Sequence, residues 1–233
     1  MPSLARRIAV SSMAALLPLT ACLPYTVGGS AQTLPANVST HSASYYFIPN
    51  AFKLPDDTAA APLSGVDYEW RHGLDARSDV AFRVLPGGVT TSYKRRFGPD
   101  TSHAGGARAF ALGAGVVNGG EHFLVDATLI ASGREDATIT PYGGVRAMHV
   151  IPMTATAVHD RPTLGVFGGL QIGNAWFSVR PELGVFYDHS ALGVRSGDVL
   201  LVPAITLMRG RRRDGFRDET VRRPSWPVRI GAP

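Results

Sequence analysis

The sequence predicts an all-β fold, an antiparallel up-and-down β-barrel of eight to ten strands. Apolar and polar residues alternate with a period of two through most of residues 65–208, as they do in strands with two different faces. Turns rich in glycine and asparagine separate these stretches, which is typical of antiparallel hairpins. No stretch of comparable length shows the 3.6-residue period of an amphipathic helix.

The predicted strands follow one another between these turns. Residues 44–52 carry a run of aromatic residues and form the first strand, and residues 53–64 are a loop rich in proline and alanine. Residues 66–71 and 79–84 alternate strictly, and a Pro-Gly-Gly turn then leads into 89–97. The remaining predicted strands are 107–117, 122–131, 138–151, 163–173, 175–188 and 199–208.

The direction of the apolar face separates two kinds of barrel. In the strand that contains residues 177–187, Leu183 and Val185 lie on an apolar face, whereas Arg180 and Glu182 lie on a mostly polar one. A soluble barrel turns its apolar face inward, and a membrane-spanning barrel turns it outward to lipid. The chain has only two lysines, its polar faces are rich in small residues, and aromatics lie near strand ends. These observations favour a membrane-spanning barrel.

Residues 65–208 resemble the small outer-membrane β-barrel proteins of Gram-negative-type bacteria. The resemblance lies in the stretches TPYGGVR (140–146), GGLQIG (168–173) and RPELGV (180–185). It implies a barrel whose apolar side chains face lipid and whose lumen is polar. The chain departs from the family pattern because its last strand is followed by an arginine-rich extension, and because its longer loops do not all fall on one side.

The first residues predict an export signal. Arg6 and Arg7 precede an apolar run, residues 8–19, that is too short to span a bilayer. The run closes on Leu19-Thr20-Ala21-Cys22, and Cys22 is the only cysteine in the sequence. This pattern resembles the bacterial lipoprotein signal. The resemblance implies removal of residues 1–21, a lipid on the Cys22 thiol that includes palmitate, and location in the outer membrane.

A second cleavage site remains open. Gly29-Ser30-Ala31 also supplies the small residues that a secretory signal needs, and cleavage after Ala31 would remove Cys22. With either site the protein folds outside the cytoplasm, and without a disulfide, since a second cysteine is lacking.

Two segments flank the predicted barrel, which spans residues 44–208. Residues 22–43 have no periodicity and are rich in small residues and proline, so they predict a flexible tether. Residues 209–233 hold eight arginines against three acidic residues and predict a disordered basic tail. Such a tail favours anionic lipid headgroups or polysaccharide as partners, and the exported location argues against nucleic acid.

Five polar residues on neighbouring strands predict a network inside the lumen, because buried charges must be paired. These residues are Asp126, Arg146, Gln171, Arg180 and Glu182.

Catalytic and metal sites have weak support. Asp188-His189-Ser190 contains the residue types of a serine hydrolase, and some outer-membrane barrels that trim lipid A place such residues at one rim. However, His189 and Ser190 are adjacent on the chain, and adjacent strand residues point to opposite faces. The seven histidines lack metal-ligand spacing, so neither a metal nor a cofactor is expected.

The predicted function is therefore a non-enzymatic outer-membrane barrel lipoprotein with a structural or interaction role at the cell envelope. One alternative is a lipid-anchored soluble barrel, similar to lipocalins, that binds a small apolar ligand. A weaker alternative is a barrel-embedded lipid A hydrolase with His189 and Ser190 in its site. The orientation of Leu170, Leu183 and Val185 distinguishes the first two.

Overall fold

A computed structural model describes residues 24–53, 60–98, 106–134, 138–154, 162–174, 176–188 and 198–210. Ten β-strands account for most of these residues, and a single turn of 3-10 helix, Asn118–Gly120, joins the fifth strand to the sixth. The strands are β1 Ser39–Lys53, β2 Ala60–Gly73, β3 Ser78–Leu85, β4 Gly88–Phe97, β5 Ala107–Val117, β6 His122–Ser132, β7 Ile139–Pro152, β8 Thr163–Gly173, β9 Phe177–Tyr187 and β10 Val199–Gly210.

Each strand pairs with the next one along the chain in antiparallel fashion, and β1 pairs with β10 to close the barrel. The closing register runs from Thr40 opposite Gly210 to Tyr46 opposite Ala204. The prediction of an all-β antiparallel barrel is confirmed, with ten strands at the upper limit of the expected range. The outer limits differ from the prediction, because β1 begins at Ser39 and β10 continues to Gly210.

The barrel has two ends, which we name by the course of the chain. At the near end β1 begins and β10 stops, and at the far end β1 connects to β2 and β9 to β10. The connection between β4 and β5 lies at the near end, whereas those from β7 to β8 and from β9 to β10 lie at the far end. The three longest connections are thus divided between the two ends, as the strand count predicts.

A tight turn at the near end joins β2 to β3. The amide of Leu74 donates to the carbonyl oxygen of Ser78 at 2.9 Å. The Asp75 carboxylate accepts hydrogen bonds from the Ser78 hydroxyl and from the Arg77 amide, each at 2.6 Å. These hydrogen bonds stabilise the ionised form and hold the pKa of Asp75 below its ordinary value.

Apolar side chains point outward from all ten strands. On β9 the outward Leu183 is 48% exposed, whereas the neighbouring Glu182 is only 6% exposed and points into the lumen. Val185 and Leu170 are also exposed. A soluble protein rarely exposes an apolar surface of this extent. The arrangement is that of a membrane-spanning barrel, in which lipid covers the apolar face.

The interior changes character along the barrel axis. Toward the far end, side chains such as Ile48, Leu124 and Leu200 form an apolar cluster that is fully buried. Toward the middle and the near end, the inward positions of the same strands carry acidic, basic and hydroxyl side chains. A second, smaller apolar cluster lies among these polar side chains and consists of Ala31, Ala107, Ala109, Ile130, Tyr142 and Phe167.

Interior aromatic rings lie opposite glycines on the adjacent strand. Four such pairs face each other directly across the sheet, and in each pair a Cβ atom on the glycine would collide with the ring. The pairs are Tyr46 with Gly65, Tyr142 with Gly169, Phe167 with Gly144, and Phe186 with Gly165. Glycine is thus required for steric reasons, because it gives each ring a place against the wall.

We expect Gly169→Val to destabilise the barrel by about 1–3 kcal/mol, the usual range for overpacking a well-packed interior. A Cβ at this position would come within 2.7 Å of the Tyr142 ring and 2.6 Å of the Pro181 carbonyl oxygen. Gly168→Val is the matched control, because that position faces outward and its nearest neighbour is a backbone oxygen 3.9 Å away. Urea unfolding in detergent micelles measures the difference. Equal midpoints for the two variants would contradict the role of the glycine.

Candidate functional site

The N-terminal part of the described chain lies inside the barrel. Residues 24–38, which we call the luminal segment, run from the far end to the near end before β1 begins. Tyr25 packs edge-on against Phe186 of β9, with ring centroids 5.2 Å apart, and its hydroxyl donates to Asp188 at 2.5 Å. At the other end of the segment, the Asn37 amide donates to the carbonyl oxygen of Gly73 at 2.9 Å.

This course differs from the flexible tether that composition predicts for residues 22–43. Within the described part of that range, Thr26 and Ala31 are completely buried and residues 39–43 belong to β1. The small residues that suggest a linker are in fact those that fit a narrow lumen. Gly28, at φ +63°, leaves space beside the Ser44 and Thr206 hydroxyls that a side chain would occupy.

Basic side chains of the wall donate hydrogen bonds to carbonyl oxygens of the luminal segment. Arg83 binds the carbonyls of Thr26 at 2.7 Å and Val27 at 3.2 Å. Arg146 and Arg180 make equivalent bonds. Hydrogen bonds that involve a charged group contribute roughly 1.5–3 kcal/mol each, about twice the value for neutral pairs. The complete set of bonds is Arg83 to Thr26 and Val27, Arg146 to Pro24 and Thr26, Arg180 to Gly28, and Lys94 to Ser30 and Gln32.

Acidic side chains bind the amide groups of the same segment. Glu182 receives the Val27 amide at 2.8 Å on one carboxylate oxygen and the Gly28 amide at 3.0 Å on the other. The Tyr142 hydroxyl donates to the second oxygen, also at 3.0 Å. Both oxygens of Glu182 are thus occupied, and the carboxylate holds the segment through its main chain.

Two further carboxylates hold the segment on either side of Glu182. Asp67 accepts a hydrogen bond from the Thr26 hydroxyl at 3.2 Å. Asp79 accepts the Leu34 amide, also at 3.2 Å, close to the near end. The segment is therefore fixed along its length, from Pro24 to Leu34, and not at one point.

Charged side chains of the barrel wall also form ion pairs with one another. Arg71 joins Glu69 at 2.9 Å and Asp79 at 2.5 Å, and Arg83 joins Glu69 at 2.7 Å. Lys94 lies 3.4 Å from Asp79. Because β2, β3 and β4 are neighbours, charges at alternate positions of these strands face one another across the sheet.

The residues predicted for the lumen network all take inward positions, but their partners vary. Asp126 and Arg146 form an ion pair at 3.1 Å. Arg180 and Glu182 each bind the luminal segment, and within the described structure neither joins an ion pair. The side-chain oxygen of Gln171 is buried without a hydrogen-bond donor. Cys22, His189 and Ser190 lie outside the described residues.

Sequence reasoning did not assign several residues of the site. Glu69, Arg71 and Arg83 alternate with apolar residues, so the period of two already places them on the polar face, whereas Lys94 is followed by Arg95 and Arg96 and has no such pattern. Counting the charges on that face would have included Glu69, Arg71 and Arg83. No comparable pattern of side chains identifies the luminal segment in the sequence, because most of its hydrogen bonds to the wall are made by its main chain.

A metal-binding cluster and a membrane-spanning helix are both absent from the described residues. No group of three or more histidine, cysteine or acidic side chains there lies close enough to hold a metal ion. The helical structure in the same part of the chain includes no helix that is long and apolar enough to cross a membrane.

Comparison with solved structures identifies the architecture. An outer membrane channel from Pseudomonas putida F1 matches 80% of this chain and 100% of its own, with 9% sequence identity and a TM-score of 0.52. The chain has the fold of an outer-membrane β-barrel. Neisserial surface protein A matches 74% of the chain and 96% of its own, with 12% identity and a TM-score of 0.38. No family model and no curated protein matches the sequence.

Replacement of Glu182 by glutamine is expected to loosen the luminal segment. The amide keeps one acceptor and turns an N–H group toward the main-chain amides that the carboxylate now binds. We expect more frequent current steps across a planar lipid bilayer than for the unmodified protein. Glu121→Gln, a substitution in the exposed turn between β5 and β6, is the control. Identical traces for Glu182→Gln and the control would argue against this anchoring role.

Proposed function

We propose that the protein is a non-enzymatic β-barrel of the bacterial outer membrane, with a structural or interaction role at the cell envelope. The observation that carries this proposal is the direction of the two faces of each strand. Leu170, Leu183 and Val185 point outward, and Glu182 points inward. Lipid is the environment that suits an apolar outer wall around a polar interior.

The soluble, lipocalin-like alternative requires the opposite arrangement. Its ligand would lie in an apolar interior, with polar side chains facing water. In this barrel the larger apolar part of the interior lies at the far end, where Tyr25 and Phe186 fill it, and a smaller one toward the near end is filled by side chains that include Ala31 of the luminal segment. Binding of an apolar ligand inside the barrel is therefore not supported by the geometry.

A general pore function is disfavoured for a similar reason. The luminal segment crosses the interior, and its contacts with Glu182, Arg83 and Arg146 occupy the middle of the lumen. A solute would have to displace these hydrogen bonds in order to pass. We infer that the barrel is closed in its resting state and acts through its surfaces.

Insertion in a membrane predicts resistance of the folded barrel to detergent at room temperature. The continuous ring of strand pairs, closed by β1 and β10, has no edge at which unfolding can begin. We expect the protein in sodium dodecyl sulfate to migrate differently before and after boiling, and to remain with membranes washed in alkaline carbonate. Release of the mature protein, without its lipid, into the aqueous phase would contradict the proposal.

We also propose that the mature chain begins at Cys22 and that this residue carries lipid. The supporting observation is the number of contacts made by residues 24–31. Cleavage after Ala31 would remove the hydrogen-bond partners of Glu182, Arg83, Arg146 and Arg180 described above. Cleavage before Cys22 keeps all of them. Lipidation would place the acyl chains toward the far end, because two residues span at most about 7 Å.

Mass spectrometry of the protein purified from outer membranes tests this assignment. We expect an N-terminal peptide that starts at Cys22 and carries acyl groups, together with incorporation of labelled palmitate that Cys22→Ala abolishes. An N-terminus at Gln32 would refute both the lipid anchor and the retention of the luminal segment. An unacylated chain that keeps Pro24–Ala31 would refute the anchor alone.

A hydrolase function has less support. The Asp188 carboxylate, which would orient a catalytic histidine, accepts a hydrogen bond from the Tyr25 hydroxyl inside the barrel. Through this contact Asp188 helps to hold the luminal segment in place. The arginine-rich residues 211–233 lie outside the described residues, and binding of anionic headgroups or polysaccharide by this tail stays a proposal.

A further inference from the structure

Two arginines lie close together on the outer wall of the barrel, where β4 and β5 reach the near end. Arg95 faces Phe110 across the sheet and Phe97 faces Arg108, so the two arginines occupy diagonal positions of the same face. Such positions are roughly 7–8 Å apart, a distance that two long side chains can bridge together. Both arginines are exposed. The outer wall thus carries two adjacent positive charges, which we call the arginine pair.

The arginine pair has no counter-ion within the described structure. No ion pair formed there includes Arg95 or Arg108. Asp75, in the turn between β2 and β3, exerts an electrostatic attraction on Arg95, but its carboxylate already accepts hydrogen bonds from the Ser78 hydroxyl and the Arg77 amide. The charge of the pair is therefore available to a negative group outside the protein.

The arginine pair lies at the level where the barrel wall leaves the membrane. Arg95 is two residues from the end of β4, and Arg108 is the second residue of β5. Exposed aromatic side chains at the same end of the barrel include Phe97 and Phe177. Aromatic girdles mark the interface between lipid and water, where an outward arginine costs little. The pair is therefore placed at the height of lipid headgroups.

An apolar groove of about 640 Å³ begins beside the arginine pair and crosses the outer wall from β5 to β10. At one end it reaches Phe110, the residue that faces Arg95, and at the other it reaches Val199. The floor is shallow because two small side chains, Ala127 of β6 and Ala147 of β7, lie opposite each other. Larger outward side chains form the sides of the groove, among them Leu129, Val145 and Leu164.

The groove runs from one end of the barrel toward the other. Phe110 is the fourth residue of β5 from the near end, whereas Val199 is the first residue of β10 at the far end. A path across the strands therefore also follows the barrel axis, as it does where strands are tilted. An acyl chain that starts at the headgroup level and enters the membrane takes such a path.

We propose that this part of the outer wall binds one anionic phospholipid, with its phosphate between Arg95 and Arg108 and an acyl chain in the groove. The inference rests on the proposed insertion of the barrel in the outer membrane. Guanidinium groups bind phosphate oxygens through paired hydrogen bonds. Two positive charges without a counter-ion favour a headgroup with a net negative charge, such as phosphatidylglycerol, over the zwitterionic phosphatidylcholine. One arginine pair matches one phosphate, whereas lipid A carries two.

Native mass spectrometry of the full-length protein in detergent micelles tests the site, with dioleoyl phosphatidylglycerol, dioleoyl phosphatidylcholine, lipid A and inorganic phosphate as probes. We expect phosphatidylglycerol to bind most tightly. Arg95→Gln and Arg108→Gln should each weaken its binding about tenfold, the effect of losing a charged hydrogen bond. Arg209→Gln is the matched control, because it removes the same charge from an exposed position at the near end of β10, outside the groove.

Ala127→Phe tests the groove separately, because the ring would occupy its floor and leave the arginine pair unchanged. We expect this variant to bind phosphatidylglycerol several-fold more weakly than Ala114→Phe does. The control carries the same substitution at an outward position of β5 that does not line the groove.

Migration before and after boiling checks that each variant folds, and so distinguishes loss of this site from failure of the proposed membrane barrel. If Arg108→Gln does not fold, Arg108→Lys keeps the charge without the paired donors and should still bind the lipid more weakly than the unmodified protein. The inference is overturned if phosphatidylcholine, lipid A or inorganic phosphate binds as tightly as phosphatidylglycerol. It is also overturned if Arg209→Gln weakens binding as much as Arg108→Gln, or if Ala127→Phe binds the lipid as Ala114→Phe does.

Discussion

Charged side chains inside the barrel need partners, and the main chain of the luminal segment provides many of them. The ion pairs of Arg83, Lys94 and Arg146 leave some of their hydrogen-bonding groups unused, and Arg180 and Glu182 join no ion pair among the described residues. Carbonyls and amides of residues 24–34 complete these groups. The filling of the lumen depends on this pairing, and so do the proposed closed state and the proposed cleavage before Cys22.

The orientation of the two strand faces puts the charged side chains inside the barrel, so they need their partners there. Because apolar side chains of every strand point outward, the polar ones are enclosed, and enclosed charges that lose a partner carry a desolvation cost of several kcal/mol each. The glycines opposite Tyr142 and Phe186 let these rings lie flat against the wall. Space then remains for the luminal segment, and Tyr142 is held where its hydroxyl reaches Glu182.

Alternation in the sequence predicts the strands but not the direction of their faces, which was predicted from the scarcity of lysine, the small residues of the polar faces and the aromatics near strand ends. Alternation of residues such as Leu183 and Glu182 is the same whether lipid or a soluble core covers the apolar side, so the period alone does not decide. The luminal segment was predicted to be a tether because, like a flexible linker, it is rich in glycine, serine and threonine. Its bonds to Arg83 and Glu182 use main-chain atoms, which leave no pattern of side chains to detect.

Amide hydrogen exchange of the luminal segment, measured in the folded barrel in lipid nanodiscs, tests the central claim most directly. The amides of Val27, Gly28 and Leu34 donate to carboxylates inside the lumen, so they should exchange as slowly as the amides of the surrounding strands. Exchange of residues 27–34 as fast as in an unstructured peptide, while the strands stay protected, would contradict the account.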